Sequence, residues 1–73
     1  MKRLDCRGLK CPFPLLKVRE NLLGTTKGDL IEILADDPLS KTDIPLLCEE
    51  LGCELKEVEE KGEFIRFIVV KRI

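Results

Sequence analysis

The chain has 73 residues with 13 Lys and Arg against 14 Asp and Glu, no histidine, and 44% hydrophobic residues. That length allows one small domain, residues 1–73, burying about 60% of its unfolded surface on folding, and excludes a second core. No apolar run approaches the roughly 18 residues of a membrane span, and near-zero net charge removes the electrostatic ground for strong nucleic-acid binding. The opening "MKRLDCRGLKC" is basic but lacks the apolar core of a secretory signal. A cytosolic location is therefore expected, with the four cysteines as thiols rather than a disulfide framework.

"KRLD", residues 2–5, reads as a short strand before the turn-like "CRGLK". A first helix is predicted over 12–23, with Leu15, Val18 and Leu22 at amphipathic spacing and Gly24 where a C-terminal glycine belongs. "LIEILA", residues 30–35, is almost continuously apolar and reads as a strand covered on most of both faces. The second helix runs to Leu51 before Gly52, with Ile44, Leu47, Cys48 and Leu51 on its core face. Its start falls between Ser40 and Asp43: either Ser40 caps it, with Asp43 completing a capping box, or Asp43 caps it and leaves Pro45 in the first turn. "CELKEVEE" and "EFIRFIVVKRI" flank Lys61-Gly62 and read as an antiparallel hairpin. The order β-α-β-α-β-β predicts an α/β two-layer sandwich, a four-stranded mixed sheet with both helices on one face and a right-handed first crossover. Glu57, Glu59, Arg66 and Lys71 are expected to face water on the other.

Charge is unevenly spread. Residues 1–19 carry Lys2, Arg3, Arg7, Lys10, Lys17 and Arg19 against Asp5 alone, so the field around "CPFP", residues 11–14, is positive. Proline fits a first helical position and pushes the residue before it into extended dihedrals, so Cys11 is predicted to be the N-cap of helix 1. Sulfur there sits at the positive end of the helix dipole, and thiols so placed near cations have lowered pKa values. Pro14 removes a further donor and leaves the Phe13 amide as the expected partner of a sulfur anion. Cys48 lies in the apolar stripe of helix 2 and reads as core, and Cys53 reads as structural. Cys6 ends strand 1 and is a candidate resolving thiol. With no histidine in the chain, a Cys-His hydrolase or transferase is excluded. Cys11 is thus expected to accept and donate groups only when a partner supplies acid and base, which describes a carrier more than a stand-alone enzyme.

These residues resemble the TusA-like (SirA-like) family of sulfur carriers. "LDCRGLKCPFPLLKVRENL" has the family's Asp-x-x-Gly-x-x-Cys-Pro-x-Pro signature at Asp5, Gly8, Cys11, Pro12 and Pro14, and "ILADDPLSKTDIPLLCEELGCEL" follows its second block. The resemblance implies that Cys11 takes a sulfane sulfur as a persulfide from a cysteine desulfurase or rhodanese-type donor. It then passes the sulfur to an acceptor protein, for tRNA thiolation, cofactor biosynthesis or sulfur metabolism. Pro12 and Pro14 would shape the cap, Gly8 the preceding turn, and Asp5 would order that turn. Arg7 and Lys10 would stabilise the sulfur anion or meet an acidic partner. Two departures stand out: Cys53 where many members have histidine, and bulky Phe13 between the prolines, read as a partner-docking handle. No cofactor, resident metal, membrane or direct nucleic-acid partner is expected. The alternatives are a metal or redox module using Cys6, Cys11, Cys48 and Cys53, and a regulatory module that touches RNA through the basic N-terminal third.

Overall fold

The computed structural model describes residues 2–10 and 13–73. The elements are β1 (Lys2–Asp5), α1 (Phe13–Leu23), β2 (Leu30–Ala35), α2 (Ser40–Glu50), β3 (Cys53–Glu60) and β4 (Ile65–Lys71). They form one sheet in the order β1-β2-β4-β3. β1 runs parallel to β2, while β4 lies antiparallel to both β2 and β3. This is the expected two-layer sandwich.

Side-chain alternation sorts the sheet into two unlike faces. Ile31, Ile33 and Ala35 of β2 join Ile65, Phe67 and Val69 of β4 in one core, closed from above by Val18 and Leu22 of α1 and by Ile44, Leu47 and Cys48 of α2. On the other face Leu34, Ile68 and Val70 are also buried, although α1 and α2 both pack on the first. They share that face with a lattice of ion pairs. The Glu32 carboxylate is held between Arg3 and Arg66, and Arg66 reaches on to Glu59 at 2.7 Å and Glu57 at 3.3 Å. Long charged side chains shield apolar surface with their stems while keeping their heads wet. The near-continuous apolar reading of β2 thus has an electrostatic counterpart: Glu32 is buried because two guanidinium groups meet it.

Two local expectations are corrected. Ser40 is the first helical residue of α2 and not its cap; the cap position is Leu39, in right-handed helical conformation with no side-chain capping bond. The turn before it is held instead by Asp37 Oδ1, which accepts from the Leu39 amide at 3.0 Å. Pro45 lies inside α2, in its second turn. Lys71, expected in water, is buried. It falls on the helix side of β4, with Phe67 and Val69, and its ammonium donates to the Leu22 carbonyl at the end of α1. A cation there complements the negative end of the helix dipole.

Candidate functional site

The parallel pairing sends β1 and β2 in one direction, and β4 starts opposite the end of β2, with Ala35 facing Ile65. Three connections therefore gather at one end of the sandwich: the segment from β1 to α1, the loop after β2, and the β3–β4 turn. Cys11 and Pro12 lie outside the described residues, but the chain on both sides of them is held at this end.

Upstream, the Cys6 amide extends the ladder by donating to the Leu34 carbonyl at 2.7 Å, and the Leu9 amide closes a turn onto the Cys6 carbonyl at 3.2 Å. Gly8, third in that turn, has φ +86°, the positive value a type II turn requires at that position. Open space surrounds the place of a Cβ at Gly8, so it is backbone conformation and not crowding that calls for glycine. Asp5 orders the same turn: its Oδ1 accepts from the Arg7 amide at 3.0 Å, and both carboxylate oxygens accept from the Arg7 guanidinium at 2.9 Å. The Arg7 side chain, and after it the Arg7 amide, hold the Asp5 carboxyl down at about 2. The guanidinium also lies over the Phe64 ring, 5.1 Å from its centroid. The Gly8 amide donates to Asp36 Oδ2 at 2.9 Å, and Leu9 packs against the core. Downstream, the Phe13 amide donates to the Lys10 carbonyl at 2.9 Å.

These contacts revise three expectations. The Phe13 amide, assigned to a sulfur anion, is bonded to Lys10. Arg7, assigned to that anion or to an acidic partner, is bound in two directions by Asp5 and Phe64. Cys6, the candidate resolving thiol, has no exposed surface, and burial pushes its thiol upward, so it has neither the access nor the thiolate character that exchange requires. Cys48 is likewise buried and its thiol is pushed up to about 11, as its reading as core implies. Cys53 is half-buried at the start of β3. Among the described residues no three metal-ligating side chains converge.

Pro14 is buried on the inner side of α1, Lys10 is exposed, and Phe13 is 60% exposed. Phe13 is followed by Leu16 and Leu23, 51% and 63% exposed, on the side of α1 opposite Val18 and Leu22. Phe13 and Leu16 thus form an exposed apolar pair in the first turn after Cys11, separated from Leu23 by the exposed Arg19 and Glu20. Beside the site, a groove of about 380 Å³ is bounded by Gly8, Lys10, Asp36, Pro38 and Glu63. A larger groove, about 480 Å³, lies at the opposite end between Lys2 and the 24–30 connection, remote from the thiol-bearing segment. Asp36 and Phe64 were not read as site residues from sequence. The Asp-Asp-Pro run at 36–38 has turn-forming composition, but nothing local tells which distant amide such a carboxylate meets.

The family model described as sulfurtransferase TusA matches residues 2–71. A protein of Archaeoglobus fulgidus is 45% identical over 71 residues, 97% of this chain and 92% of the relative. The sulfur carrier protein TusA of Allochromatium vinosum is 33% identical over 70 residues, 96% of this chain and 92% of the relative. The protein of the same name from Pseudomonas paraeruginosa is 38% identical over 66 residues, 89% and 84% of the two chains. In fold, the crystal structure of a SirA-like protein from Desulfitobacterium hafniense superposes over 100% of both chains with a TM-score of 0.84 at 22% identity.

Proposed function

This chain belongs to the TusA sulfurtransferase family and is a sulfur carrier, and from that premise we propose that Cys11 is the residue that bears the sulfur. The observation that carries the assignment is the held segment on either side of Cys11: a fixed turn at Cys6–Leu9 and a fixed helix start at Phe13, at the end where three connections meet. Two of the other three cysteines argue the same way, since Cys6 and Cys48 are buried with raised thiol pKa values.

Loading is a thiol exchange. The Cys11 thiolate attacks the outer sulfur of a donor's cysteine persulfide; a Cys11–S bond forms, the donor's S–S bond breaks, and the donor cysteine leaves as a thiolate. Delivery repeats the step with an acceptor thiolate attacking the outer sulfur on Cys11. Neither step needs an external oxidant. With no histidine in the chain, proton handling falls to the partner. A cysteine desulfurase or rhodanese-type protein as donor, and a sulfurtransferase protein as acceptor, fit that division in a cytosolic setting. Lys10 supplies the exposed positive charge next to Cys11, and Phe13 with Leu16 offers apolar surface beside it for docking.

The test is peptide-mapped mass after incubation with a cysteine desulfurase and cysteine. One sulfur atom is expected on the Cys11 peptide, removed by reductant and absent from Cys11→Ser. Cys48→Ser should still load, while losing about 1–3 kcal/mol for a buried hydroxyl. Loading that survives Cys11→Ser, or that is lost in a folded Cys48→Ser, would place the chemistry on another thiol.

A further inference from the structure

We propose that Asp36 and Phe64 are positioning residues that hold the segment leading into Cys11, an inference that rests on Cys11 being the sulfur-bearing residue. Asp36 follows β2 and Phe64 immediately precedes β4, so neither is a sequence neighbour of the segment. Each meets it at a different residue: Asp36 through the Gly8 amide at 2.9 Å, Phe64 through the face it offers to Arg7 at 5.1 Å.

The two contacts act on complementary degrees of freedom. In a turn with Gly8 at φ +86°, the peptide between Arg7 and Gly8 can flip, because glycine adopts either sign of φ at little cost. A carboxylate on the Gly8 amide selects one orientation of that peptide. Arg7 carries the other handle. Asp5 grips its guanidinium from one side, and the Phe64 ring ties the same group to the β3–β4 turn, itself closed by the Lys61 amide on the Phe64 carbonyl at 2.8 Å. Together they fix the turn against two loops at the same end of the sheet, the one after β2 and the one before β4. Exposed polar contacts of this kind contribute little to stability, yet both converge on the few residues before the thiol. Their effect falls on where the sulfur is presented. Transfer between two proteins depends steeply on that, since an ångström of misplacement costs on the order of a hundredfold in rate.

The experiment compares Asp36→Ala with Asp36→Asn, and Phe64→Leu with Phe64→Tyr, in the full chain. Asn keeps an oxygen for the Gly8 amide but, like Ala, removes the charge; Tyr keeps the ring face, while Leu keeps only apolar bulk. For each variant we would measure the thermal midpoint by circular dichroism, the pH profile of iodoacetamide alkylation mapped to the Cys11 peptide, and the rate of persulfide loading from a cysteine desulfurase. Asp36→Ala should differ from Asp36→Asn, and Phe64→Leu from Phe64→Tyr, by a displaced alkylation profile and about tenfold slower loading, at nearly equal midpoints within each pair. Matching alkylation profiles within both pairs, or differences that simply track the midpoint, would overturn the proposal. A wild-type chain that fails to load while the profiles shift as expected would overturn the carrier role of Cys11 and leave the positioning intact.

Discussion

Asp5 spends its two oxygens on the residue two places later, and one consequence is a measurable pH dependence. Its folded carboxyl lies at about 2, below the ordinary value of 3.8, so its contribution to stability is complete above the ordinary value. That contribution is lost as pH falls from there through about 2. The difference in thermal midpoint between wild type and Asp5→Asn should hold constant near neutrality and vanish towards the acid limit; a difference unchanged at both ends would contradict the pairing. At this scale the sequence placed Asp5 and Gly8 in the turn before Cys11, where the structure finds them, but not the partners that their segment meets. Asp5 and Gly8 stand out through the family signature, Pro14 through proline geometry and Phe13 through its bulk between the prolines. The partners of Arg7, the Phe13 amide and Gly8 do not, because a guanidinium or an amide records nothing in the local sequence about a ring or carboxylate brought to it by the fold.

Element boundaries were legible where one strong physical signal dominated. β2 and β3 fall where apolar content, turn residues and glycines place them, and α1 ends before Gly24 as expected. α2 was less so, because Ser40, Asp43 and Pro45 give competing start signals, and the fold resolves them with a turn before Ser40 held by Asp37. Lys71 was misplaced for a related reason: alternation along β4 puts it on the helix side, and only the carbonyl end of α1 makes that position tolerable for an ammonium. Gly52 offers a test at this scale. It joins α2 to β3 at φ +68°, and a Cβ there would lie 2.2 Å from the Ile73 side chain. Gly52→Ala should cost about 1–2 kcal/mol from the left-handed backbone alone, with any excess arising from displaced Ile73. Chemical denaturation of Gly52→Ala, with and without Ile73→Ala, separates the two; a neutral Gly52→Ala would contradict the strained junction.

For the molecule as a whole, the two faces of the sheet rest on different forces. One is sealed by helices and answers to volume; the other is sealed in part by paired charges and answers to pH and salt. Glu32 is lowered by its bonds to Arg66 and Arg3, Glu59 by Arg66 and Lys61, and Glu54 by Arg72. Depressed carboxylates contribute stability above their unfolded values and lose it as pH falls through the folded ones. The midpoint of unfolding should therefore be flat down to roughly pH 5 and decline only as ordinary glutamate values near 4.3 are passed. A steep loss already between roughly pH 7 and 6 would be inconsistent with this lattice. Glu32→Gln should lower the midpoint at neutral pH by more than Glu54→Gln, because Glu32 is 5% exposed and its pairs are less screened by solvent.

The strand directions also decide how the protein can be handled. β1 begins, and β4 ends, at the end of the sandwich opposite the thiol-bearing segment, since Lys2 pairs with Ile31 and Val70 with Leu30. A flexible linker attached beyond Arg72 would hold the molecule by its far end and leave the three gathered connections facing outward. Tethered to a bead or to a donor protein in that way, the carrier would trade a bimolecular encounter for an intramolecular one. The yield of loading would then be set by linker reach rather than by concentration.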